Sequence, residues 1–243
     1  VTYTPTGGIV AAPTTSLPEQ IGGIRNWDYR YCWLRDAAFS LWALHIGGYT
    51  GEARSYVNWL LRAAGGDPGA LQTVYGPGGE SRLVESEIDW LAGYENSRPV
   101  RVGNAASMQF QLDVYGEVLD TLHLSRQMGM SWDPEAWGLA RRLVDYVVDH
   151  WQEPDEGIWE VRGPRQHFTH SKVMAWVALD RAVRAIEKFG LDGPLEKWQQ
   201  VRQQIHDDVC AQGYDAERNT FTQYYGSNEL DASQLMIPLV HFL

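Results

Sequence analysis

The sequence predicts an all-α fold made of repeated helical hairpins. Three observations carry this: apolar residues recur at helical spacing in successive windows, more apolar helices alternate with amphipathic ones, and no run alternates apolar with polar residues for long enough to make a sheet. Residues 1–24 are rich in Thr, Pro and Gly and have no period, so they read as an irregular lead-in or linker to a domain over 25–243. Residues 34–47 (LRDAAFSLWALHIG) are apolar nearly all round, the pattern of a helix buried on most sides. Residues 51–64 set Ala53, Tyr56, Val57, Leu60, Leu61 and Ala64 on one stripe with Glu52, Arg54 and Arg62 outside it, an outer helix. The stretch 71–94 is a long connection with room for a short hairpin or helix.

The alternation then repeats. Residues 105–124 carry Met108, Leu112, Tyr115, Val118, Leu119 and Leu122. Residues 134–151 carry Trp137, Ala140, Val144, Val147 and Trp151, opening on Asp133 as a cap with Pro134 in the first turn. Residues 171–188 and 194–211 give a more apolar helix and then an amphipathic one (Trp198, Val201, Ile205, Val209) after the Gly190–Gly193 turn, and LDASQLMIPLVHFL begins another. Inner helices thus start near residues 34, 105, 171 and 231. The strings RNWDYRYCWLRD, NSRPVRVGN, GIWEVRGPRQHFTHS and QYYGSNELD stand at their entries, which in a ring of hairpins converge on one rim.

A chain of 243 residues, 44% hydrophobic, is enough for one large domain with a buried core. Its net charge of −11, without a basic stripe, argues against a nucleic-acid partner. No stretch reaches the roughly 18 consecutive apolar residues of a membrane span, and VTYTPTGGIVAAPTTS lacks the pattern of a signal peptide. Cys32 and Cys210 read as free thiols, which favours a reducing, cytoplasmic location. Eleven Trp and twelve Tyr read either as large-residue core packing or as faces that stack on sugar rings.

No metal, nucleotide or nucleophile-elbow motif is present, and the His167/His170 pair reads as local structure, so no metal and no cofactor are expected. Carboxylate acid–base chemistry remains. In WQEPDEGIWEVRG, Glu153, Asp155 and Glu156 read as a solvated polar turn. Glu160 stands between Trp159 and Val161, an apolar setting that suits a general acid. Arg35 and Asp36, beside Tyr29, Tyr31 and Trp33, read either as a dipole complement with an ion pair or as a grip on sugar hydroxyls. Arg98 and Arg101 are either structural or reach the same pocket.

These strings resemble a known family. IGGIRNWDYRYCWLRDA, SRPVRVGNAA, PDEGIWEVRG with HFTHSKVMAWVALDRA, and YGSNELDAS are similar to the successive signatures of glycoside hydrolase family 15, the glucoamylase group, and especially its bacterial trehalase-like branch, from about residue 17 onward. The resemblance implies an (α/α)6 barrel and inverting hydrolysis of an α-glucosidic bond, releasing β-glucose. It assigns Glu160 as general acid beside Trp159. It sets Tyr29, Tyr31, Trp33, Arg35 and Asp36 around the terminal glucose, and Arg98 and Arg101 at the pocket rim.

Val161 stands where fungal glucoamylases carry a second Glu, which turns the expectation from starch toward trehalose, with glucoamylase or isomaltose-type activity as alternatives. The family's general base belongs to a later hairpin. Residues 1–243 are therefore expected to hold about the first half of the ring, to be inactive alone and to self-associate through uncovered apolar edges. A carbohydrate-binding fragment without catalysis is the reading from another class.

Overall fold

The computed structural model describes residues 1–130 and 134–243, which divide into two compact units. The first comprises residues 1–66 and 71–109, the second residues 67–70 and 110–243. The expected Asp133 cap lies outside the described residues.

The first unit begins with strands where an irregular lead-in was expected. β1 (Thr2–Tyr3) pairs antiparallel with β2 (Gly8–Ile9), and β3 (Thr15–Pro18) with β4 (Asn26–Asp28). The Ala11 and Ala12 amides also donate to the Tyr31 and Tyr29 carbonyls, both at 2.9 Å. β5 (Cys32–Trp33) runs directly into α1 (Leu34–Ile46), and α2 (Thr50–Ala63) follows. β6 (Val74–Tyr75) pairs back onto β5, and β7 (Ser86–Glu87) pairs with β8 (Arg101–Val102). Each ladder is only two to four residues long, too short to leave an alternating pattern in the sequence.

α2 buries the expected stripe of Ala53, Tyr56, Val57 and Leu60. α1 departs from its expectation. Leu34, Ala37 and Leu41 are buried, but Phe39, Trp42 and Ile46 are 44%, 49% and 76% exposed, so this apolar helix is covered on one face.

In the second unit, α3 (Asp113–Gln127), α4 (Pro134–His150), α5 (Thr169–Phe189) and α6 (Leu195–Gln212) realise the alternation. α3 and α5 are buried nearly all round and cross closely: a Cβ on Gly116 would stand 2.2 Å from the Met174 carbonyl oxygen. α4 and α6 bury one stripe each, with Trp198 fully buried and its indole N–H on Asp145 at 3.1 Å. The helix expected over 105–124 is split. A short 3₁₀ turn at Ala105–Met108 leaves Met108 84% exposed, and α3 starts only at Asp113. β9 (Tyr214–Asp215) and β10 (Thr220–Phe221) form a hairpin after α6. The fourth apolar stretch opens as a 3₁₀ turn at Ala232–Leu235, capped by Asp231, before α7 (Met236–Leu239).

Candidate active site

Trp159 and Glu160 lie in the second unit, on the loop between α4 and α5. The base of this loop is stapled. Asp155 and Gln166 exchange backbone hydrogen bonds at 3.0 Å, the Glu156 amide donates to the Phe110 carbonyl at 3.1 Å, and the Glu156 carboxylate accepts from the Phe110 amide at 2.8 Å and from Arg165 Nε at 2.9 Å.

Asp155 is not in a solvated turn. It is fully buried, and its Oδ2 accepts from the Leu112 amide at 2.9 Å just before α3. Lys172, 1% exposed on the first turn of α5, donates to the Trp151 carbonyl at 2.6 Å and to the Glu153 carbonyl, and so closes the end of α4. Burial works against both charges. It pushes Asp155 up to about 7, reinforced by Asp113 and opposed by the Leu112 amide, Ser171 and Lys172. It draws Lys172 down to about 8 against the attraction of Asp155.

At the tip the chain turns sharply. Gly157 has φ +70°, and a Cβ there would meet the Phe168 ring at 2.6 Å. Ile158 tucks inward at 7% exposure, while Trp159 remains 55% exposed. Glu160 is half-buried with φ 55°, its amide bonded to the Gly157 carbonyl at 3.1 Å. The expected apolar pocket is therefore only partly present around Glu160, since one of its two apolar neighbours faces outward. The Trp159 indole N–H donates to both oxygens of Asp231 at 2.9 Å. The same carboxylate accepts from Gln223 Nε2 at 2.9 Å and from the Ser233 amide at 2.8 Å. Burial pushes Asp231 up, but these donors outweigh it and hold the carboxyl below its usual range. His167 stacks on Tyr225, and His170 is buried in the first turn of α5.

The other expected site residues belong to the first unit. Trp33 is 3% exposed in a cluster with Val74, Leu83 and Ala106, with Tyr29 and Tyr31 packed against it. Tyr29 and Trp33 ring centroids are 5.8 Å apart, and the two tyrosines keep the partly exposed aromatic surface. Arg35 and Asp36 approach to 3.6 Å on the first turn of α1, with the Asp36 side chain 46% exposed. Arg98 is exposed and borders a shallow hollow with Glu87, Ile88, Leu91 and Val100. Arg101 is 8% exposed and spends its guanidinium on Glu87 at 3.0 Å, Glu85 at 3.7 Å, the Ile24 carbonyl at 2.8 Å and the Trp27 ring at 4.7 Å.

The model of the family described as glycosyl hydrolases family 15 matches residues 1–243. The chain belongs to glycosyl hydrolases family 15. Within the family, it is 46% identical to a trehalase of Mycolicibacterium smegmatis over 100% of its own length and 37% of that protein's. It is 40% identical to a trehalase of Thermoplasma acidophilum over 99% of its length and 41% of that protein's. The chain thus spans about two fifths of the length of these curated relatives. A glycosidase solved in complex with glucose superposes with a TM-score of 0.70 at 20% identity, over 98% of this chain and 59% of that one. The likeness shows the fold: a family 15 (α/α)6 barrel, of which the chain covers about half.

Asp155, Lys172, Asp231 and Gln223 were not among the expected site residues. Lys172 had a readable signal, because it is the one Lys or Arg in the apolar first half of α5 (residues 169–179), where a cation demands partners. Asp231 had a weaker one, as an Asp placed to cap an apolar run.

Proposed function

We propose that the protein containing these residues is an inverting, exo-acting glycoside hydrolase that cleaves an α-glucosidic bond and releases β-glucose, with α,α-trehalose as its first substrate and Glu160 as its general acid. The observation that carries the reading is 46% and 40% identity, along essentially the whole chain, to proteins named trehalase in organisms as different as Mycolicibacterium smegmatis and Thermoplasma acidophilum. The loop geometry supports it. A stapled base and a turned tip offer one carboxyl next to one exposed indole face.

In this chemistry Glu160 protonates the glycosidic oxygen as the bond to the leaving sugar breaks. A water activated by a second carboxylate attacks the anomeric carbon from the opposite face, the two carboxyl groups standing roughly 6.5–9.5 Å apart. We assign the second carboxylate to a segment of the longer protein outside residues 1–243. Trp159 covers the apolar face of a sugar ring, Arg35 and Asp36 take glucose hydroxyls, and Tyr29 and Tyr31 stack on the ring they hold. Val161, in place of a second Glu, leaves the departing sugar without a carboxylate contact there, which favours trehalose over starch.

The test is Glu160→Gln in the full-length protein. Turnover of trehalose is expected to fall by about 10³-fold, within the range for loss of a general acid, while sugar binding measured by calorimetry persists. Wild-type turnover in that variant would sink the assignment. Proton NMR of the first products from trehalose reads the stereochemistry: α- and β-glucose in equal amounts are expected, because the departing glucose keeps its α configuration, and initial α-glucose alone would rule out inversion. Parallel assays on maltose and isomaltose rank the substrates, and release of glucose from none of them would leave a binding module.

A further inference from the structure

We infer that Asp231 is the positioning residue that fixes Trp159, and through it Glu160, at the tip of the 155–166 loop. The inference rests on the reading of Glu160 as the general acid and adds a residue to that machinery. Trp159 is 55% exposed, so packing covers only part of its ring; the staples to Phe110 and Gln166 lie at the base of the loop, and at the tip the Glu160 and Val161 amides bond back to the Gly157 and Glu156 carbonyls at 3.1 and 3.3 Å without touching the indole. What holds the indole is its N–H, shared between the two oxygens of Asp231 at 2.9 Å each. Glu160 follows Trp159 directly in a left-handed turn with φ 55°, so anchoring the indole restrains the stretch of backbone from which the carboxyl side chain departs.

A strut works only if its far end is fixed, and Asp231 is fixed twice. The Ser233 amide holds it as the cap of the Ala232–Leu235 turn, and Gln223 Nε2 holds its other oxygen at 2.9 Å. Gln223 is tied to the exit of the loop itself: its carbonyl accepts from the Thr169 amide at 3.0 Å, and the Tyr225 amide donates to the His167 carbonyl at 3.0 Å. Loop tip, Asp231, Gln223 and the first turn of α5 therefore form one closed circuit of hydrogen bonds within the second unit. An acid catalyst gains from such a frame because misplacement by about 1 Å costs on the order of a hundredfold in rate. The frame leaves the indole face open for a sugar ring.

The test is a double-mutant cycle in the full-length enzyme. Asp231→Ser keeps a capping oxygen for the Ser233 amide but is too short to hold the indole, and Trp159→Phe keeps an aromatic face but removes the N–H. Each single change is expected to lower kcat on trehalose by about tenfold to a hundredfold, and the double variant to be no slower than the slower single, because both remove the same bond. A double variant whose loss is the product of the two singles, or a Trp159→Phe enzyme with unchanged kcat, overturns the inference. Should Asp231→Ser not fold, Asp231→Thr, also a capping side chain, carries the same cycle. Glu160→Gln is assayed alongside. Normal turnover there overturns the acid assignment whatever the cycle gives, whereas an inactive Glu160→Gln with a multiplicative cycle overturns only the role of Asp231.

Discussion

In the 26–36 string each charge finds its partner close by. Asp28 is gripped by Arg30 through two contacts of 2.8 Å, and Trp33 closes over a small core with Val74 and Leu83. The 151–168 loop draws on the same residue types but is hung from the interior. Its anchors are a fully buried carboxylate and a buried ammonium between the starts of α3 and α5, and Trp159 at its tip is left outside. Identical vocabulary therefore builds a self-satisfied surface in one place and a presented tip in the other. The difference lies in where the compensating partners sit in the sequence.

The sharpest way to break this contrast is Lys172→Met. Two carbonyls at the end of α4 lose their donor, and Asp155 stays buried without its cation, so the cost is expected to be about 4 kcal/mol, in the range for breaking buried charge arrangements. Adding Asp155→Asn removes the stranded carboxyl while keeping an acceptor for the Leu112 amide. The double variant should then be less destabilised than the sum of the singles in urea unfolding. Additive losses would show that the loop is not hung from this pair.

The helices were legible where each buries a stripe or a whole surface, because burial writes itself as periodicity, as in α2 of the first unit and α4, α5 and α6 of the second. The start of α3 was not, since Ala105–Met108 is apolar enough to extend the pattern while its backbone has turned away to cap on Asn104. The short ladders were invisible for want of length. In the site, the Trp159–Glu160 string stood out by its resemblance. Asp155 did not, because flanking Pro and Gly give a buried anchor and a solvated turn the same local sequence. Nor does an exposed aromatic such as Trp42 differ on paper from a buried one such as Trp59.

The two regions should also part on acidification. In the first unit, burial pushes Asp28 up but Arg30 and the Gly103 amide prevail and hold it below the usual carboxylate range, so its contribution is lost only as pH falls below 3.8. In the second, His123 on α3 is held down to about 4, by burial first and the charge of Arg181 second, against an ordinary 6.5. The unfolded chain takes up that proton earlier than the folded one. Stability from His123 is thus full above pH 6.5 and is lost toward pH 4, amounting to about 3 kcal/mol. Burial also raises Asp155, which contributes in the opposite sense between 3.8 and about 7, so the wild type alone would mix the two. The readout is the difference in urea midpoint between wild type and His123→Gln, which should narrow as pH falls from 7 to 4.5. A constant difference would mean that His123 is not held neutral.

The smallest expected stability effect separates two residues of the first unit that the sequence placed together in the sugar pocket. Arg101 is occupied by Glu85, Glu87, the Ile24 carbonyl and Trp27, so Arg101→Lys, which keeps the charge but loses the fork, should cost about 2 kcal/mol in unfolding and move KM little. Asp36 makes a 3.6 Å approach to Arg35 with its side chain 46% exposed, a pair of the kind that contributes at most about 0.5 kcal/mol. Asp36→Asn should leave the urea midpoint of the full-length enzyme where it is and weaken substrate binding by about tenfold, the loss of one charged hydrogen bond to a hydroxyl. If both variants shift the midpoint and neither shifts KM, the 26–36 string is scaffold throughout. If the midpoint follows Arg101 and KM follows Asp36, the boundary between scaffold and presented surface runs through the first unit as well, with the first turn of α1 on the side of the sugar.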